Sequence, residues 1–165
     1  MIKKLLFYVS IAIFTALTCT TALAHFGMVI PTNNIVTQEN KVIDITLSFS
    51  HPFEGIGMDL IKPKKFFVFQ DGKQVSLLSF LTETEVMGHK GWSSRQKLQR
   101  PGVYQYVMEP SPYWEPAEDL FIIHYTKTIV AAYGADENWA QPVGLPTEII
   151  PFLRPYGNYA GNSFS

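Results

Sequence analysis

The sequence predicts an all-β fold: an antiparallel, immunoglobulin-like β-sandwich behind an N-terminal signal peptide. Three observations predict it. Short segments rich in β-branched and aromatic residues recur along the chain, Pro, Gly, Asn and Asp separate them, and no apolar stretch after residue 24 keeps a helical period. The chain has 165 residues, 47% of them hydrophobic, with 12 Phe, 8 Tyr and 3 Trp, which suits one buried core and excludes disorder. Lys and Arg number 13 against 14 Asp and Glu, a formal charge of −1. Such a balance gives no basic surface for nucleic acid, so that class of partner is excluded.

Residues 1–24 read as the signal peptide. Lys3 and Lys4 precede an apolar run from Leu5 to Leu17, and Ala22-Leu23-Ala24 closes the segment with small residues at minus three and minus one. The run is short of the roughly 20 residues that a membrane span needs. Cleavage is expected after Ala24, giving a periplasmic protein that does not itself span the membrane. Lys3, Lys4 and Cys19, the only cysteine, leave with the signal. The mature chain is then more acidic, and thiolate metal sites and disulfides are excluded.

The sandwich is expected over residues 25–153. From Val42 to Phe49, Ile43, Ile45, Leu47 and Phe49 alternate with Asp44, Thr46 and Ser48, the pattern of a half-buried strand. Lys65 to Gln70 and Gln74 to Leu78 flank the hairpin turn Asp71-Gly72-Lys73. Further strands are expected at Thr82 to Met87, Ser93 to Gln99, Val103 to Met108 (after the turn Pro101-Gly102) and Leu120 to Tyr133. The 11 prolines all follow residue 24 and leave room for short helical turns at most. After Gly134, Trp139, Leu145, Ile149, Ile150, Phe152 and Leu153 predict a tail that packs across the sandwich. Residues 154–165 read as a linker-like end.

The chain has 4 histidines, and they carry most of its chemistry. His25 becomes the first mature residue, so one cation can take both its α-amine and its ring, which an internal histidine cannot offer. His51 shares the parity of Ile43 to Phe49 and is expected at the rim of the buried face. His124 sits in the apolar run Phe121-Ile122-Ile123-His124-Tyr125, where a histidine is either a core residue with a partner or a ligand. Each alone fits a structural role; together they compete as one metal site. His89, in the polar loop Gly88 to Gly91, and Glu54, in His51-Pro52-Phe53-Glu54, stand as reserve ligands. Glu115, Glu118 and Asp119 form a further acidic group. Imidazole and amine nitrogens suit Ni, Co, Cu or Zn and not Ca or Mg. Gly27 at mature position three excludes the copper chelate that uses a third-position histidine. No HExxH, P-loop, GxGxxG or serine-hydrolase motif occurs.

Five blocks fit a known pattern in combination: His25-Phe26-Gly27-Met28-Val29-Ile30-Pro31, Ser50 to Glu54, Pro112-Tyr113-Trp114-Glu115-Pro116-Ala117-Glu118-Asp119, His124 to Lys127, and Arg154-Pro155-Tyr156-Gly157 with Ala160-Gly161-Asn162. The mature chain resembles the exported domain-of-unknown-function family described as the periplasmic component of a nickel/cobalt uptake transporter. That resemblance implies a β-sandwich, a following small β-domain that this sequence does not extend into, and His25, His51 and His124 as the matching histidines. It also implies nickel or cobalt as the metal and membrane transporter subunits as partners.

The expected function is therefore non-enzymatic capture of a divalent metal, Ni or Co, with Cu or Zn as alternatives. Two other readings stand beside it. One is a copper protein or enzyme with a histidine brace and an axial Tyr125 or Tyr133. The other is a metal-free structural or ligand-binding sandwich that uses Trp92, Trp114 and Trp139 for packing or as a sugar platform.

Overall fold

The structure, a computed structural model, describes residues 25–116 and 118–158; the expected signal peptide and the final residues lie outside them. Two sheets pack face to face. The first runs in the order β1 (Phe26–Pro31), β3 (Val42–His51), β8 (His89–Lys97), β7 (Thr82–Val86), with β4 (Ile56–Met58) paired to the end of β3. The second runs β2 (Ile35–Val36), β12 (Thr126–Ala132), β9 (Gly102–Glu109), β5 (Lys65–Gln70), β6 (Lys73–Ser76). A small hairpin, β10 (Tyr113–Glu115) with β11 (Leu120–Ile122), stands apart. All these pairings are antiparallel except β2 on β12, where two residues run parallel. The expected β-sandwich is the observed one, and its helical content among the described residues is a single 3₁₀ turn, Leu78–Phe80.

Strand β3 shows why the sheets close. Ile43, Ile45 and Leu47 are fully buried, and Phe49 and His51 continue the same face. They meet Phe66, Tyr104, Tyr106, Met108 and Val130 of the second sheet. A one-residue slip would turn the four apolar side chains outward, at about 1.5–3 kcal/mol each. That loss is as large as a whole domain's stability of about 5–15 kcal/mol, so the register is pinned.

Strand β9 buries both its faces. Tyr104, Tyr106 and Met108 point to the core, while Val103, Gln105 and Val107 point outward and are covered by the tail. Val143 and Leu145 pack on Phe67, Phe69 and Val107, and Tyr156 and Trp139 pack at Val103 and Ala131. The tail does cross the sandwich, with a correction to the residues responsible. Ile149 is 86% exposed and Phe152 99%, so Val143 and Tyr156 do the work expected of them.

A second correction concerns Leu120 to Tyr133, which reads as one strand and is two. Residues 123–125 break it, because β11 folds back on β10 while β12 joins the second sheet. Strands β1, β2, β4 and β10 carry too little alternation to be read from sequence.

The tail is fastened by a buried ion pair. Lys127 Nζ on β12 donates to Glu148 Oε1 at 2.6 Å, and both side chains are 9% exposed. Glu148 also accepts from the amides of Val143 and Gly144. Burial alone would raise this carboxyl, but Lys127 and the two amides outweigh it and hold the group below its ordinary 4.5. The pair's contribution is therefore complete above about pH 4.5 and is lost as pH falls through the lower, folded value. Glu148→Ala should destabilise the protein by about 3 kcal/mol, since it strands a buried ammonium. Chemical denaturation at neutral pH checks this, and the deficit should shrink as pH falls below 4.5 and through the folded carboxyl's lower value.

Candidate metal centre

The register of the first sheet builds the site. β1 pairs with β3 so that Phe26 faces Ser50 and Gly27 faces Phe49. The next position outward sets His25 opposite His51, on the face that carries Phe49. Directly opposed residues of antiparallel strands have Cβ atoms about 5 Å apart, and the two imidazole rings meet edge to face with centroids 4.9 Å apart.

His124 arrives from the other sheet, on the segment between β11 and β12. Gly27 admits it. A Cβ on Gly27 would stand 3.2 Å from His124 Cβ, 3.2 Å from Thr126 Oγ1 and 3.3 Å from Met108 Cε. With no side chain there, Thr126 Oγ1 donates to the Gly27 carbonyl at 2.8 Å and draws β12 against β1.

Phe49 lies between the pair and the third histidine. Its ring centroid is 5.7 Å from His25 and 5.6 Å from His124. The structure thus joins His25 and His51 directly and sets His124 across one ring from His25. Among the described residues, no three His, Cys, Asp or Glu side chains close on one point.

Two atoms of the pair are out of balance. Nδ1 of His25 and Nε2 of His51 are buried and have no hydrogen-bond partner. An unpaired buried polar atom costs about 1–3 kcal/mol, and a fold without a use for it would fill the position with an apolar ring. In the tautomer that leaves it unprotonated, each nitrogen offers a lone pair suited to a late transition metal. The residues present therefore fit such a cation. Glu54 Oε2 stands 3.8 Å from His51 Nδ1, on the nitrogen opposite the unpartnered one. At that distance the carboxylate is beside the ring but beyond hydrogen-bond reach of it.

The other candidates lie elsewhere. His89 Nδ1 is 3.4 Å from Asp59 Oδ1 in an exposed pair, and no ring contact joins it to the other three histidines among the described residues. Tyr133 donates its hydroxyl to the Leu98 carbonyl, and Tyr125 is within electrostatic reach of Lys65. The tyrosine at the site is Tyr113, which sequence reasoning passed over. Its ring stacks on His124 at 5.4 Å, and its Oη is 3.2 Å from His124 Nε2. Its strand, β10, sets Tyr113 and Glu115 on one face and Trp114 on the other, too short a run to be read from sequence.

His124 lines two cavities. One is an open cleft of about 710 Å³ between β1, β12 and the tail; the other is a pocket of about 310 Å³ walled by Phe49, Met58, Leu60, Pro112 and Tyr113. Burial, and secondarily the nearby His25, hold the His124 ring below the ordinary imidazole value, so it is a neutral nitrogen base at neutral pH.

If the pair is kept for binding and not for stability, removing an unpartnered nitrogen should not harm the fold. His51→Leu should leave the metal-free protein as stable as the parent or stabilise it by about 1 kcal/mol. Urea unfolding measures this, and a loss of more than about 2 kcal/mol would show His51 to be a structural core residue.

Among known families, the model described as Domain of unknown function (DUF4198) matches residues 22–165. No curated protein and no solved structure matches the chain. With nearly its whole length covered, the chain belongs to the DUF4198 family of domains of unknown function.

Proposed function

We propose that this chain is an exported metal-binding protein. After cleavage behind Ala24 it captures nickel or cobalt in the periplasm and passes the ion to membrane transporter subunits, with no chemical turnover. The observation that carries the reading is that His25 Nδ1 and His51 Nε2 are both buried and unpartnered, on two rings whose centroids lie 4.9 Å apart.

The identity of the first atom matters. An N-terminal histidine chelates through its amine and Nδ1, because these close a six-membered ring with the ion, whereas Nε2 points away. Nδ1 is the atom left without a partner. Cleavage would supply the amine, whose ordinary value near 7.7–8 lets a competing cation displace its proton. His51 Nε2 then completes three nitrogens, and His124 is a further imidazole across Phe49. Nitrogen donors of this kind select against Ca and Mg. They do not place nickel or cobalt above copper, so that preference rests on the family resemblance and on which metal is supplied.

Equilibrium dialysis of the chain beginning at His25 against Ni, Co, Cu and Zn tests the reading. A site tighter than about 10 µM, about −7 kcal/mol, is expected. It should weaken by more than roughly tenfold, about 1.4 kcal/mol, in His51→Ala and in a chain with one extra residue ahead of His25. Affinity should rise with pH up to about 8, as the amine gives up its proton. No such site, or one indifferent to the added residue, overturns the proposal.

One observation favours a second reading. An amine, Nδ1 of a terminal histidine and Nε2 of another are the donors of a copper brace. Beside the site, Trp114 and Phe121 form an exposed edge-to-face pair at 5.2 Å on the β10–β11 hairpin, an apolar contact surface for a substrate. Oxygen consumption by the copper-loaded protein with a reductant would support this enzyme, and its absence would remove it.

A further inference from the structure

Exposed apolar side chains gather at the end of the sandwich that holds the histidines. The β3–β4 turn projects Phe53, which is 93% exposed, and Ile56, paired with His51, is exposed beside it. Trp114 and Phe121 face each other across the β10–β11 hairpin, and both reach solvent. The segment after β4 and the segment before β10 share one pocket. Leu60 and Ile61 from the first, and Pro112 and Trp114 from the second, line the cavity of about 310 Å³ together with Phe49 and His124. Ile61 and Trp114 are exposed, so the pocket opens to solvent between them. Apolar side chains exposed singly need no explanation, but grouped round a pocket they mark a contact site.

Charge selects what docks there. Residues 50–61 and 110–126 carry Glu54, Asp59, Glu115, Glu118 and Asp119 and no lysine or arginine. The lysines around these segments are mostly committed. Lys65 is paired with Glu109 at 2.8 Å, Lys90 with Glu83 at 2.6 Å and Lys127 with Glu148 at 2.6 Å, and Lys62 is held over the Trp92 ring. That leaves Lys64 against the acids. Asp59 lines the pocket itself, and its side chain is 71% exposed although it meets His89 and the Lys90 amide. An anionic lipid surface would be repelled by these groups, and a second copy docked on the same end would set acid against acid.

We propose that this end of the sandwich is a protein-docking surface whose partner is a cationic segment, with an aromatic side chain seated in the pocket between Leu60 and Trp114 and basic residues set against Asp59, Glu118 and Asp119. The surface stands without a bound metal. Under the metal-binding reading, Phe49, which lines the pocket and lies 5.7 Å from the His25 ring, would put the partner next to the ion.

The test is a titration of the ¹⁵N-labelled chain beginning at His25, held metal-free by a chelator, with the peptide acetyl-Arg-Arg-Phe-Arg-Arg-amide. Saturable ¹H–¹⁵N shifts are expected at the Trp114 indole and at the amides of Phe53, Ile61 and Phe121, with half-saturation below about 1 mM. Replacing the peptide's Phe by Ala, or its Arg by Glu, should weaken binding at least roughly tenfold. Phe121→Ser should weaken it by about fivefold or more, and so should Glu118→Gln combined with Asp119→Asn, while the rest of the spectrum reports an intact fold. Phe80→Ser, on the 3₁₀ turn, should leave it unchanged. Binding should also weaken as salt rises from about 0.01 to 0.15 M, because the screening length falls from about 30 to 8 Å. No saturable binding, or binding indifferent to the peptide's charge and anchor, overturns the proposal. Flotation of the chain with phosphatidylcholine or phosphatidylglycerol vesicles, lost in Phe121→Ser, would make the surface a lipid-binding one and overturn it. Self-association that Phe121→Ser abolishes in sedimentation equilibrium would assign the surface to a second copy, with the same consequence.

Discussion

The pairing register of β1 on β3 is the constraint on which the site depends. Phe26 opposite Ser50 forces His25 opposite His51, and Gly27 opposite Phe49 opens the gap that His124 enters. A slip by one residue would send His25 to the other face of the sheet and put a side chain where Gly27 now stands. The register in turn is held far from the histidines, by Val29 in the core and by the buried run of β3. Packing energy gained in the middle of the sandwich thus fixes the geometry at its rim.

What collects at that rim is nitrogen in an apolar setting. Phe49 touches the rings of His25, His124 and Tyr113. In such surroundings a bare lone pair is costly and an ionised imidazole more so, which is why burial lowers His124 toward its neutral form. The same low polarity strengthens any bond these nitrogens make to a cation. The acid nearest the pair is Glu54, whose Oε2 lies 3.8 Å from His51 Nδ1.

The strength of the alternation decided what could be read from sequence. In β3 it was strong enough to place His51 at the end of the buried face, and the signal-peptide pattern singled out His25. Their contact was not legible, because β1 lacks alternation and its register is set by tertiary pairing. His124 was legible as a histidine among apolar residues and was misplaced within a strand. Leu120 to Ile123 are as apolar as β12 itself, and only the return of β11 onto β10 breaks the run. Tyr113 was missed for the same reason, since a three-residue strand between prolines gives no period to count. Of the tail's expected anchors Trp139 and Leu145 pack and Ile149 and Phe152 do not, because apolar content does not say which residues the outer face of β5 and β9 admits; Phe152 and Val143 look alike in sequence and differ in burial from 99% exposed to 5%.

The distribution of the donors along the chain carries a last consequence. His25 begins an edge strand, His51 ends a central one, and His124 lies on a connection between the hairpin and the second sheet. Edge strands and connections are the parts of a sandwich that open first. A ligand that binds only the folded arrangement stabilises it by RT ln(1 + [L]/Kd), about 2.7 kcal/mol at a hundredfold excess over Kd. A cation held by these nitrogens would therefore fasten β1 to both sheets, a cross-link that the described residues, which hold no cysteine, cannot make covalently. Release would follow the reverse path: loosening β1 at its first residue removes the chelating pair in one step while the core under β3 stays packed. Under the metal-binding proposal, capture and release would then be governed by the edge strand β1, on a scaffold whose packed core lies under β3.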